Sequence, residues 1–320
     1  MEIELELVEA CKNGNILKVE ELLSNPENPI NYFGEVFLCA CEEGHREIVE
    51  LLLNDERIDI KSIGASPFKI ACEKGHVGVV ELLLNDQRVD VTKENKKGHP
   101  PFYVACLKGY VEIVKLLLND ERIDLNKVDD SGQTPFYIAC EHRCTEVVKV
   151  LLNHQKIERN KPNKNGWTPF YIACVGRTEI VKLLLNDEGI DINQETHHGE
   201  TPFHIACKNG HIEIVQYLLA SGREITLTVK DKDGKTAIDC ARDGEKSEKK
   251  IWESEEDFQR RKGNCSRIVE LIESFQRNPN ETRSKRLLRG KILLFSFFFF
   301  LLSKPFFFLK KKKKRDKCSI

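Results

Sequence analysis

Seven cysteines stand at one recurring place in this 320-residue chain: Cys11, Cys41, Cys72, Cys106, Cys140, Cys174 and Cys207. A thiolate can be a nucleophile, a soft metal ligand or a disulfide partner, so this row is the first candidate for chemistry. Cys39 lies two residues from Cys41 and Cys144 four from Cys140, but neither pair has a second pair at zinc spacing. Histidines are densest at His197, His198, His204 and His211, and a metal would need three or four ligands to converge. His204 and His211 fall at repeating positions and His197-His198 at a turn, which reads as capping and surface histidine. The acidic string Asn-Asp-Glu also recurs, whereas a catalytic carboxylate pair should occur once, in a cleft. There is no GxxxxGK[ST], GxSxG or HExxH, and no GxGxxG after a strand. The expectation is a non-enzyme with no metal and no cofactor.

The elements that carry these residues are periodic. The string TPFYIAC occurs at 134–140 and again at 168–174, with relatives SPFKIAC (66–72), PPFYVAC (100–106), TPFHIAC (201–207) and a drifted TAIDCA (236–241). After each comes a second string, as in GHREIVELLLND (44–55), GHVGVVELLLND (75–86), GYVEIVKLLLND (109–120) and GRTEIVKLLLND (176–187). The alanine of the first string recurs at Ala10, Ala40, Ala71, Ala105, Ala139, Ala173 and Ala206, at spacings of 30 to 34 residues. Thr or Ser before Pro predicts a capped helix start. The glycine of Lys-Gly-His (74–76) predicts a left-handed helix end. Apolar residues at Val111, Val114, Leu117 and Leu118 predict a second helix closed by Asn in a left-handed cap. RIDLNKVDDSG (122–132) then predicts an extended finger and a polar turn.

The period answers the cysteine question. Each thiol lies beside the small alanine on a first helix. Neighbouring helices in a stack run about 8–10 Å apart, and a disulfide needs Cα atoms closer than about 7 Å. The row therefore cannot cross-link or converge on one metal, and it reads as small apolar filler. Twelve cysteines without a secretory signal at MEIELELVEA point to reduced thiols in the cytoplasm.

From about residue 3 to 275 the chain resembles the ankyrin repeat family, whose pattern runs Thr-Pro-Leu-His-x-Ala-Ala, Gly-His-x-Glu-Ile-Val-x-Leu-Leu, then a Gly-Ala-Asp-Val-Asn finger. Here Phe replaces the first Leu, Cys the second Ala, and Tyr or Lys often the His. The fold class expected is an all-α repeat solenoid, helix-turn-helix plus β-finger, elongated and curved. The layout is a capping repeat at 1–33, six repeats at 34–63, 64–97, 98–131, 132–165, 166–198 and 199–233, and a C-terminal cap at 234–280. A charged insertion, 245–263, carries Trp252 and Phe258 and reads as a solvated helical extension or a docking arm.

The resemblance implies protein partners, met through finger tips and the exposed side of first helices. Positions that differ between units are free to recognise. At the tips these are Lys96, Lys97 and His99; Asp130, Ser131 and Gln133; Lys164, Asn165 and Trp167; His197, His198 and Glu200. On the first helices they are Glu73 and Lys74, Leu107 and Lys108, Glu141 and His142, and Val175. Trp167 stands where other units have Ala65, His99, Gln133 and Glu200. It is either a binding anchor or cover for Tyr137 or Tyr171. Units four to six are the expected centre of a scaffold or adaptor that works as a monomer.

Residues 281–320 are a different object. They hold thirteen Lys or Arg against two Asp or Glu, a charge of +11, so the rest carries −12 for a total of −1. Within them Ile292–Leu309 is apolar apart from Ser296, Ser303, Lys304 and Pro305. A membrane-spanning helix needs about 20 apolar residues. Three readings stand: a membrane contact through 292–309 that would make the chain a tail-anchored recruiter of cytosolic partners, translated non-coding sequence, or nuclear import and nucleic-acid contact through the Lys run. The acidic body repels phosphate, which counts against nucleic acid.

Overall fold

The computed structural model describes residues 2–25, 33–63 and 66–279, so the 281–320 tail with its candidate membrane segment 292–309 lies outside the described residues. The described chain forms eight consecutive helix pairs. They are α1 Glu2–Lys12 and α2 Ile16–Ser24, α3 Phe33–Glu43 and α4 Arg46–Asn54, α5 Pro67–Lys74 and α6 Val77–Asn85, and α7 Pro101–Lys108 and α8 Val111–Leu118. Then come α9 Pro135–Glu141 and α10 Thr145–Leu152, α11 Pro169–Ala173 and α12 Thr178–Leu185, α13 Pro202–Lys208 and α14 Ile212–Ala220, and α15 Ala237–Lys246 and α16 Glu255–Arg277. Each first helix packs on the first helix of the next unit, and each second helix on the next second helix, so the core is a line of interfaces. No helix among the described residues is long and apolar enough to cross a membrane.

Local chemistry starts and stops these helices. Ser66, Thr134 and Thr168 accept from the backbone N–H three residues on, at 3.2, 3.0 and 3.0 Å, and Pro67, Pro135 and Pro169 follow them. Gly75 ends α5 at φ +86°, the expected left-handed cap. It is needed twice over, because a Cβ there would come within 2.9 Å of the Tyr110 ring from the next unit. His76 likewise lies over Gly44, with Nε2 2.7 Å from the Glu42 carbonyl. Phe68, Phe102, Phe136, Phe170 and Phe203 fill the layer between first and second helices at 2% exposure or less.

The cysteine row lies in the same core. All seven side chains show 0% exposure, and the eleven described cysteines are unpaired thiols. Burial, the largest influence on each, holds the row well above the ordinary thiol range. They are packing residues, as the period implied.

The units are also joined by polar bonds that the sequence reading did not identify. Arg57, Arg88 and Arg122 each pair with the aspartate two residues before and reach back one unit. Their Nη2 groups donate to the carbonyls of Leu23, Leu53 and Leu84 at 3.0, 2.8 and 2.7 Å. Those carbonyls belong to the last turns of α2, α4 and α6, where helix carbonyls lack partners. Asn126, Asn160 and Asn193 make a second ladder: each amide donates to a carbonyl and accepts an N–H from the next unit.

Two expectations need correction. There is no β-strand among the described residues. The fingers of units three to seven are tight turns closed on themselves, as in Asn163 N–H to Trp167 O at 3.0 Å. Asn95, Asp129, Asn163 and Asp231 each accept two further backbone N–H groups within their turns, which takes donors away from any longer ladder. The asparagine closing a second helix is not left-handed, since Asn119 has φ −94° and remains right-handed. The charged 245–263 segment runs from the end of α15 across a short bridge into a mostly exposed helical extension. Residues 255–263 are the first turns of α16, and only Ser247–Ser254 bridges the two helices.

Two measurements test this packing. Arg122→Ala should lower the urea midpoint, equivalent to about 1–3 kcal/mol for a lost charged hydrogen bond, and Arg122→Lys should recover only part because it lacks the fork. Alkylation with iodoacetamide at pH 8.5, mapped by mass spectrometry, should label Cys39 and Cys144 first and reach the seven-residue row only after urea. Early labelling of Cys106 or Cys140 would contradict the packing assigned here.

Candidate functional site

The candidate residues separate into two rows. Finger-tip residues precede each first helix, and Leu107, Lys108, Glu141, His142 and Val175 lie at or past its C-terminal end. A helix of five to eight residues stands between them, a rise of roughly 8–12 Å. They form two strips along opposite ends of the first helices.

On the finger row the backbone is stitched from unit to unit. Lys164 N–H donates to Ser131 O at 3.0 Å, His197 N–H to Asn165 O at 3.2 Å and Lys232 N–H to His198 O at 2.9 Å. Lys96, Lys97, Asp130, Ser131, Lys164, Asn165, His197 and His198 are exposed on that frame. These side chains vary while the turn geometry holds.

His99, Gln133, Trp167 and Glu200 share a different task. His99 lies 4.5 Å from Tyr103 and Trp167 5.6 Å from Tyr171, ring centroid to centroid. Gln133 Oε1 approaches the Tyr103 hydroxyl at 3.4 Å, and Glu200 accepts from the Tyr171 hydroxyl at 2.8 Å. Glu200 also pairs with Lys208 at 2.8 Å. Burial alone would raise the Glu200 carboxyl, but bonds from Lys208 and Tyr171 bring it below its usual range. All four residues are half-buried and lie against buried tyrosines.

Tyr103, Tyr137 and Tyr171 are the polar latches beneath. Each is 1% exposed. The Tyr103 hydroxyl donates to Asp129 at 3.0 Å in the next finger, and the Tyr137 hydroxyl accepts from Asn163 at 3.5 Å. In unit seven His204 takes that place: its Nδ1 faces the Thr201 hydroxyl at 2.7 Å and its Nε2 faces the Lys235 carbonyl at 3.3 Å. Its ring is fully committed to structure.

The turn row is less uniform. Leu107 and Val175 are half-buried against the core, and Lys108 and His142 are exposed. Glu141 is half-buried, and its carbonyl accepts from Arg177 Nε at 3.1 Å. Glu73 accepts from Asn95 at 3.0 Å and Lys74 pairs with Glu42 at 2.9 Å, so both act between elements. Comparison of units within the sequence overlooked Arg143 and Arg177. Arg143 stands where other units have glycine, and Arg177 where they have His45, His76, Tyr110 or His211.

Comparison with known proteins agrees with this architecture. Ankyrin repeats (3 copies) is the family that matches, over residues 7–95, 86–161, 102–196, 155–231 and 188–247. No curated protein matches the chain. Among solved structures, the ankyrin repeat domain of Bcl-3, a member of the IkappaB protein family, is similar at 22% identity with a TM-score of 0.57. The alignment covers 64% of this chain and 92% of that one, and at this identity it speaks for the fold. Repeats of this kind generally serve as protein-protein interaction modules. Matched from residue 7 to residue 247, the chain belongs to the ankyrin repeat family.

Proposed function

We propose that this chain is a monomeric adaptor or scaffold that binds partner proteins through its finger tips and the outer ends of its first helices. The observation that carries the reading is the stitched finger row. A backbone fixed by Lys164 to Ser131 and His197 to Asn165 presents side chains that differ at every unit. A rigid frame with variable projections loses little entropy on binding, which favours recognition of another protein surface. Catalysis has no part in this reading, because Tyr103, Tyr137, Tyr171 and His204 are occupied in joining units.

Capture of partners by the full chain, read by cross-linking and mass spectrometry, tests it. Alanine at Lys164, Asn165, His197 and His198 together should cut capture about tenfold, as for loss of a hot-spot patch, with an unchanged urea midpoint. Trp167→Ala should lower both, since it removes a stack worth about 0.5–1.5 kcal/mol. Full capture by the fourfold variant would refute the finger row as the contact.

Cytoplasmic placement, read from the thiols, and tethering to a membrane through 292–309, read from the sequence of the tail, are a second proposal. Fractionation of cells expressing the chain with and without residues 281–320 should move it from the membrane pellet to the supernatant. A soluble full-length chain would end the tether.

A further inference from the structure

The turn row of units six and seven, together with the loop between α15 and α16 and the start of α16, forms a cleft of about 470 Å³. Val175, Asn209 and His211 line one side, and Lys250, Arg260 and Asn264 line the other. The far wall is built deliberately. Arg261 pairs with Glu253 at 2.8 Å, both side chains about one-tenth exposed. It also donates to Ser247 at 2.7 Å, to the Gly244 carbonyl at 3.3 Å and to the Glu248 carbonyl at 3.4 Å. Those bonds hold the loop between α15 and α16 against the helix and set Lys250 at the cleft.

The charges there do not balance. Arg260 is paired with Asp257 and Arg261 with Glu253, which occupies both carboxylates of the wall. The Lys250 side chain lines the cleft, Arg143 and Arg177 act on His211 from beside it, and among the described residues none of these three side chains has an ion pair within 4.0 Å. Arg177 is held only by the Glu141 and Val175 carbonyls, at 3.1 and 2.9 Å. The Glu141 carboxylate acts on it at longer range. His211 adds nothing, since burial, then Arg177, Lys250 and Arg143, push its imidazole down to about 4, neutral at ordinary pH. Arg143 moreover sits at φ +63°, a left-handed conformation that glycine occupies in most other units.

This net positive cleft lies in a body that carries −12. Ile251 and Trp252, between the cleft residues Lys250 and Glu253, stand in solvent at 100% and 82% exposure. We infer that the cleft is a docking site for an acidic segment of a partner protein, with carboxylates against Arg143, Arg177 and Lys250 and apolar side chains against Val175 and Trp252. A nucleic acid fits poorly, because its extended phosphates would run over the acidic surface around the cleft. The inference rests on the reading of the repeats as protein-binding, but it uses the turn row and not the finger row.

Fluorescence anisotropy on the full chain tests it, with a short fluorescein-labelled peptide in which glutamates alternate with leucines. The peptide should bind at low salt and weaken as sodium chloride rises, and the same peptide with glutamine for glutamate should not bind. Arg143→Gly with Lys250→Ala should weaken binding about tenfold, as for loss of charge complementarity. Arg143→Gly alone should fold at least as well, because glycine suits that φ. Lys96→Glu with Lys97→Glu, on the finger row, should leave peptide binding unchanged. Equal binding of the glutamine peptide, undiminished binding by the double variant, or tighter binding of a single-stranded oligonucleotide would each overturn the inference. No binding of the glutamate peptide by the unaltered chain at low salt, with partner capture by the finger row intact, would sink this site and leave the broader reading standing.

Discussion

Consecutive first helices meet through alanine and cysteine side chains that have no exposure at all, from Ala40 and Cys41 through Ala206 and Cys207. That approach sets the terms for the rest of the molecule. Adding even a methylene or two at such a place overpacks an interface, at a cost of about 1–3 kcal/mol. The position must therefore be small in every unit, and sulfur is acceptable there because burial leaves the thiol neutral. The same tightness makes glycine necessary at the turn, where Gly44 and Gly75 lie under the rings of His76 and Tyr110. One steric demand, repeated along the stack, accounts for most of the sameness in the sequence.

Close packing of apolar faces does not by itself satisfy the helix ends. The carbonyls at the C-termini of α2, α4 and α6 find donors in arginines of the following unit, and the fingers find theirs in Asn126, Asn160 and Asn193. These bonds are exposed or part-buried, so each contributes modestly, about 0.5–1.5 kcal/mol for a typical one. Every one runs to an adjacent unit. Stability is therefore distributed along the stack, and damage at one interface weakens its two neighbours without reaching the far end.

This locality also decides what could be read from the sequence. Helix starts at Ser66, Thr134 and Thr168 and the stop at Gly75 depend on bonds within a few residues, and they were legible. The thiol row was legible because a period of 30 to 34 residues excludes a shared ligand. Arg122 was not, since its partner at Leu84 lies in another unit and only the repeated Asp-x-Arg hints at it. The finger was misjudged as β because alternating apolar residues suggest a strand. The deciding bonds come from the side chains of Asn95, Asp129 and Asn163 back to their own turns. Trp167 was ambiguous for a related reason. Variation at its position reflects whether a ring, an amide or a carboxylate covers the tyrosine below, and that tyrosine becomes visible only in space.

Variation between repeats thus has two physical meanings, and conformational strain helps to separate them. His99, Gln133, Trp167 and Glu200 differ in chemistry, yet each makes a contact that stabilises its own unit. Arg143 differs, and among the described residues only its backbone bonds to its own unit, to Cys140 and Thr145. It holds a left-handed backbone that costs a non-glycine residue roughly 1–2 kcal/mol, and its guanidinium has no carboxylate partner among the described residues. A residue that pays strain without a return inside the fold is best explained by something outside it. By that criterion Arg143, the one non-glycine residue with a left-handed backbone among the described residues, bears more on the inferred docking cleft than Trp167 does, although the aromatic is the more conspicuous letter in the sequence.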